Sequence, residues 1–218
     1  ANLPASAPDP APDPGRDVPT GERPLRDRVD AALSTFLDAR SAQLTDIDPL
    51  LGPQIETARD LIAGGKRLRP AFCYWAWRGV GGPDCDEIVV AAAALELLQA
   101  SAIIHDDVMD GSDVRRGKPA AHRRFEHLHR SSGWTGSPER FGVGGAILLG
   151  DLLLGWTDEM LRGSGLAPER LRAAYPVLDV MRTEVMAGQY LDLVGQAVGE
   201  SSVAQAMRIV RYKSAKYS

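Results

Sequence analysis

An apolar helical stripe that runs directly into a cluster of carboxylates limits this chain's folding options more than any other feature. In LELLQASAIIHDDVMDGSDVRRGK, residues 95–118, the apolar positions Leu95, Leu98, Ala102 and Ile103 recur at three- and four-residue steps, which is the spacing of one helix face. Asp106 and Asp110 continue that stripe. Like charges four residues apart weaken an isolated helix by about 0.2–0.5 kcal/mol, and carboxylates at the edge of an apolar interior cost far more unless something neutralises them. The acids also stand at a helix C-terminus, where the macrodipole disfavours negative charge. The pattern predicts a helix over about 84–109 whose inward face ends in a cation site, with a divalent ion as the expected occupant.

Helical periodicity extends over most of the remaining chain. Leu25, Val29, Leu33, Phe36, Leu37 and Leu44 share a face and predict a helix over 25–44. Pro49 and Pro53 open a second helix, with Leu51, Ile55, Ala58, Leu61 and Ile62 inward until Gly64 and Gly65 stop it. A third is expected over 68–79. Beyond the long helix, 119–130 reads as helical and 131–138 as a Ser/Gly loop. Residues 141–161 place Ile147, Leu148, Leu152 and Leu153 around Asp151, as in a helix buried on most sides. After the turn at 163–168, Leu171, Tyr175, Leu178, Met181, Val185 and Leu193 mark another helix, and a last one is expected over 203–217. Strand patterns are nearly absent. About seven or eight helices joined by short turns imply an all-α bundle of antiparallel helices, where sites are built from side chains on facing helices.

A length of 218 residues suffices for one large domain. Residues 1–24 are rich in Pro, Ala and Asp and nearly lack large apolar side chains, so they are expected to form a disordered extension before a domain spanning 25–218. A formal net charge of -4 gives no overall basic field for nucleic acid. Cys73 and Cys85 are too few for a disulfide framework and fit a reducing compartment. Glu96, His105 or Asp151 interrupts each of the longest apolar runs, so no segment reads as a membrane span. No basic stretch followed by an apolar one opens the chain at Ala1, and a cytoplasmic setting is expected.

Three stretches carry the chemistry. In GGKRLRP, residues 64–70, Lys66, Arg67 and Arg69 put three cations within four residues beside two glycines, a group suited to a diphosphate. Taken alone, it is as readily a solvated helix start. In DDVMD, Asp106 and Asp110 share a helix face while Asp107 points about a quarter-turn away, so the first and last are the expected direct ligands of Mg²⁺. Hard oxygen donors on an open edge suit this ion, which keeps waters and binds substrate phosphates. Arg115 and Arg116 follow closely enough for the loop to fold them back toward a metal-bound phosphate. His105 reads as a structural residue, and His122, His127 and His129 as surface or packing residues.

GGKRLRP, the helix with Gln99, DDVMD, RRGKP and KSAKYS at 213–218 together resemble the trans-isoprenyl (polyprenyl) diphosphate synthases, most nearly those of the geranylgeranyl type, over roughly Leu25 to Ser218. The resemblance implies an all-α fold around a central cavity and probes a specific chemistry. There a Mg²⁺-bound allylic diphosphate (dimethylallyl, geranyl or farnesyl) ionises, isopentenyl diphosphate attacks the cation, and a proton is lost. It implies that Lys66, Arg69, Gln99 and Arg116 hold isopentenyl diphosphate, and that Arg115 and Lys213 hold the allylic diphosphate, with Asp106 and Asp110 on its Mg²⁺. Gln189 and Asp192, in GQYLD, match a position beside the allylic diphosphate. The Lys213 carbonyl and Ser214 hydroxyl would face the developing cation, where fixed dipoles stabilise charge without reorganising. Ser101 and Ala102 are small where a farnesyl-length enzyme is expected to present an aromatic plug, which implies a C20 or longer product with Leu98 and Leu95 as the next floor. A homodimer is expected.

Members of that family are longer and carry a second aspartate-rich motif beyond the KSAKYS region. No second DDxxD occurs downstream of Asp110, so the domain is expected to be C-terminally incomplete. Two other readings remain open: a class I terpene cyclase, which has no need of GGKRLRP and Arg116, and a non-catalytic partner subunit. The 218 residues by themselves are expected to turn over poorly, and robust Mg²⁺-dependent condensation by them alone would contradict this.

Overall fold

Helix α4 (Asp86–Met109) is the axis around which the other elements assemble. The computed structural model describes residues 23–199 and 202–216, and the extension expected over residues 1–24 lies, apart from its last two residues, outside the described residues. Before α4 come α1 (Leu25–Ile47), a 3-10 turn at Pro49–Leu51, α2 (Gly52–Ile62) and α3 (Leu68–Gly79). After it come a short hairpin of β1 (Val114–Arg115) and β2 (Lys118–Pro119), then α5 (Ala121–Ser131), α6 (Pro138–Arg162), α7 (Pro168–Val198) and α8 (Val203–Ile209). Residues Val210–Ala215 extend α8 as a π-helical turn.

The core forms where five helices, α1, α2, α3, α5 and α6, close on α4. Ala91, Ala92, Ala93 and Ala94 are all buried, so α4 presents no solvent face there, and its small side chains let other helices approach. Its most extensive packing is with α6, whose Ala146, Leu149, Leu153, Trp156 and Met160 are buried. From α1, Val29, Leu33 and Leu37 point inward at four-residue intervals, and Arg28 fastens that helix to the start of α4 through Asp84 at 2.8 Å and Asp86 at 3.1 Å. Both α4 and α6 are long and apolar enough to cross a bilayer, their most apolar stretches having mean hydropathies of 1.8 and 1.2. Here they are packed against each other as the central pair of the bundle, and apolar content of this kind is expected of core helices.

Three local differences from the sequence expectations have physical causes. Residues 118 and 119 belong to a hairpin strand rather than a helix start, with Arg115 paired to Lys118 and Val114 to Pro119. The turn between them carries positive φ at both central residues, Arg116 at 52° and Gly117 at 76°, the backbone hand that matches strand twist in a tight hairpin. Helix α6 begins at Pro138, inside the expected loop, because the Ser137 side chain accepts a hydrogen bond from the Arg140 N–H and Pro138 occupies the first turn. The last expected helix is α-helical only to Ile209. Beyond it the wider π turn brings its backbone against α7 at Gly188, where a Cβ would stand 2.4 Å from the Lys213 nitrogen.

That approach leaves no room for a side chain at position 188. Gly188→Ala is expected to push the π turn off α7 and to lower stability by about 1–3 kcal/mol, the usual cost of forcing atoms into a closed contact. Chemical denaturation checks this, and unchanged stability would mean that the two backbones do not meet in solution.

Candidate active site

The three aspartates at the end of α4 have three different environments. Asp107 is 1% exposed and turns away from the cavity, accepting from the Arg115 Nε at 2.9 Å and also pairing with its Nη2. Asp106 is the one that lines the cavity. Its Oδ1 lies 3.0 Å from the Lys213 Nζ, which also donates to Asp192 Oδ2 at 2.6 Å. Asp110 caps the helix, where its backbone N–H bonds to the Asp106 carbonyl, and its side chain is exposed.

This geometry fixes the charges. Burial disfavours the Lys213 ammonium, but hydrogen bonds to Asp192 and Asp106 outweigh it and raise its pKa above the ordinary lysine value. Arg115 is likewise raised, chiefly by its hydrogen bond to Asp107. One ammonium and one guanidinium, drawn from separate segments, therefore pair with Asp106 and Asp107 at the acidic end of α4.

A cavity of about 690 Å³ opens beside these groups. Its polar lining comprises Arg69, Gln99, Asp106, Arg115, Arg116, Gln189, Lys213 and Ser214 among others, and its apolar lining includes Leu98, Ala102, Leu154 and Val185, with Ser101 also on the wall. Elements distant in sequence supply them: α3, α4, the hairpin, α6, α7 and the π turn. The Nε2 of Gln189 is buried and finds no hydrogen-bond partner among the described residues, leaving a donor available to a ligand oxygen. Asp192 does not line the cavity but holds Lys213 at its rim.

The two basic motifs meet at Gly65, where a Cβ would lie 3.8 Å from Arg116 Nη1. Of the three cations in GGKRLRP, Arg69 lines the cavity, Lys66 is exposed and outside its lining, and Arg67 is buried at 6% exposure between Asp30 and Glu96. Arg67 is thus a structural ion-pair partner rather than a cation of the cavity wall. Its signal in the sequence is Glu96, a lone carboxylate within an apolar run that requires a counter-charge.

A second, more apolar cavity of about 650 Å³ adjoins the first, with Arg69 and Leu98 on the wall of both. Ala91, Ala94 and Leu95 of α4 and Leu178 and Met181 of α7 line it. Of the histidines, His105 also lines the first cavity, whereas His122 and His129 are outside its lining. His105 Nε2 lies 3.2 Å from the Ile147 carbonyl and 3.4 Å from Asp151. His129 bonds to the Thr135 carbonyl beside Trp134 and Phe141, and burial lowers the pKa of His122.

The donor set fits an ion that brings most of its own ligands. Among the described residues no three His, Cys, Asp or Glu side chains converge as a ready-made cage. Asp106 and Asp110 offer carboxylate oxygens at an open edge, the arrangement in which Mg²⁺ keeps waters and shares phosphate oxygens.

Comparisons with known proteins agree with this arrangement. The family model described as polyprenyl synthetase matches residues 54–218. The geranylgeranyl diphosphate synthase of Methanosarcina mazei is 32% identical over 176 residues, covering 79% of this chain and 49% of that protein. The chloroplastic geranylgeranyl pyrophosphate synthase 11 of Arabidopsis thaliana is 36% identical over 173 residues, 75% of this chain and 44% of its own. The chain thus spans about half the length of these relatives. A crystal structure of geranylgeranyl pyrophosphate synthase from Corynebacterium glutamicum, complexed with isoprenyl diphosphate and magnesium, superposes with a TM-score of 0.80 at 38% identity, over 88% of this chain and 55% of that one.

Proposed function

The chain belongs to the polyprenyl synthetase family, and from that premise we propose that its site joins isopentenyl diphosphate to an allylic diphosphate, giving a linear trans-prenyl diphosphate of C20 or longer. The observation that carries this is one cavity lined both by Asp106, Lys213 and three arginines and by apolar side chains of α4, α6 and α7. A diphosphate head and a hydrocarbon tail need those two kinds of lining.

Arg115 and Lys213 hold the allylic diphosphate, with Gln189 and Asp192 beside it. Asp106 and Asp110 would hold Mg²⁺, which neutralises the diphosphate and makes it a better leaving group. Lys66, Arg69, Gln99 and Arg116 hold isopentenyl diphosphate with its double bond toward the allylic carbon. The allylic C–O bond breaks and pyrophosphate leaves. The double bond of isopentenyl diphosphate then forms the new C–C bond, and loss of a proton restores an alkene. The Lys213 carbonyl and Ser214 hydroxyl supply fixed dipoles toward the cation.

The length of α4 supports a C20 product. Leu98 lies eight residues before Asp106, about 12 Å along the helix, while each five-carbon unit extends roughly 5 Å from ordinary C–C bond lengths. Two units therefore reach Leu98, and four need the second cavity, where Ala91 stands about 22 Å from Asp106. The small Ser101 and Ala102 leave the way down open. Dimethylallyl, geranyl or farnesyl diphosphate as primer, a homodimer and a cytoplasmic setting complete the proposal.

Incubation with Mg²⁺, geranyl diphosphate and labelled isopentenyl diphosphate tests the reading. Label is expected in prenyl products at low turnover by these 218 residues, and a protein that consumes the allylic diphosphate without incorporating isopentenyl diphosphate would be a cyclase instead. Ala102→Phe is expected to shorten the products, and an unchanged length distribution would rule out that position as the ruler.

A further inference from the structure

We infer that Arg67, clamped between Asp30 and Glu96, is a positioning residue that sets the isopentenyl diphosphate pocket without touching the substrate. This rests on the assignment of Lys66, Arg69, Gln99 and Arg116 to that substrate.

The clamp joins three parts of the chain. The Arg67 Nε donates to Asp30 Oδ1 on α1 at 2.7 Å, and its Nη1 donates to Glu96 Oε2 on α4 at 2.8 Å. Glu96 is 13% exposed and Arg67 6%, whereas Asp30 reaches solvent at 40%. Two partners on different helices are thus held by one planar fork, a geometry that an ammonium cannot reproduce.

Its backbone is equally constrained. Arg67 has φ 53° and ψ 37°, left-handed values for a residue with a side chain, and follows Gly64 at φ 76° and Gly65 at φ 88°. Such strain persists where surrounding contacts over-determine it, and the two ion pairs are those contacts. Arg67 is also the residue at which the loop turns into α3. The turn leaves Lys66 exposed just before the helix and places Arg69 on the cavity wall two residues later.

The proposed isopentenyl diphosphate ligands all adjoin this clamp. Lys66 is the preceding residue, Arg69 lies in the first turn of α3, and Gln99 is three positions beyond Glu96, on the neighbouring face of α4. Arg116 reaches the same loop at Gly65. Arg115 and Lys213, assigned to the allylic diphosphate, pair instead with Asp106, Asp107 and Asp192. Loosening the clamp therefore acts on one substrate.

The test is equilibrium titration of isopentenyl diphosphate, and separately of geranyl diphosphate with Mg²⁺, into the chain and its variants. Arg67→Gly accommodates the left-handed backbone and removes the whole side chain with its guanidinium, while Glu96→Ala removes one jaw. Each is expected to weaken isopentenyl diphosphate about tenfold, the scale of a lost charged hydrogen bond, and to leave geranyl diphosphate unchanged. Glu96→Gln keeps an acceptor oxygen and should rescue most of the loss. Asp30→Asn, at the exposed jaw, keeps a folded variant available, and circular dichroism verifies the fold of each. Equal weakening of both ligands, or unaltered isopentenyl diphosphate binding in folded variants, overturns the positioning role. A wild-type chain that binds geranyl diphosphate but no isopentenyl diphosphate overturns instead the assignment beneath it.

Discussion

The structure depends on neutralising the carboxylates at the end of α4. An aspartate buried to 1% exposure is stable as an anion only beside a counter-charge, and Arg115 supplies it to Asp107. Asp106 draws Lys213 from more than a hundred residues further along. These two demands fold the hairpin back onto α4 and bring the π turn against α7. The cavity is the space left between the segments that answer them. Electrostatic necessity and substrate chemistry thus coincide, since cations that balance the acids in the free protein also stand where a diphosphate can use them.

Most of the helical framework was legible in the sequence because its residues obey one rule, the burial of a 3.6-residue stripe. Val29, Leu33 and Leu37 on α1 and Ile55, Ala58 and Ile62 on α2 are buried in that pattern. Elements with other determinants were harder to read. The hairpin rests on positive φ at Arg116 and Gly117, and the π turn on a backbone contact at Gly188. Neither leaves an apolar period. Arg67 shows the same limit within the site, because three adjacent cations look alike in sequence. Only the fold shows that one turns inward to Glu96 while Arg69 lines the cavity. Asp107 was separated from Asp106 in advance by helix geometry alone, and its partner Arg115 required the hairpin.

The two adjoining cavities link fold to product. On the proposed function, a chamber with cations on several elements would receive charged heads, and a more apolar chamber sharing Leu98 with it runs along α4 and α7. The small Ser101 and Ala102 stand on the wall of the first chamber. The same helix therefore carries the acidic end, the chamber wall and the next floor. A substitution on α4 affects head binding or tail length according to its height along the axis.

Calorimetric titration of geranyl diphosphate, with and without Mg²⁺, into the chain and into Asp106→Asn tests the central claim most directly. Binding is expected to require Mg²⁺ and to weaken by more than about tenfold in the variant, as for loss of a charged ligand. Tight binding that is independent of Mg²⁺ and unaffected by Asp106→Asn would contradict the claim that the acidic end of α4 is the metal-dependent diphosphate site.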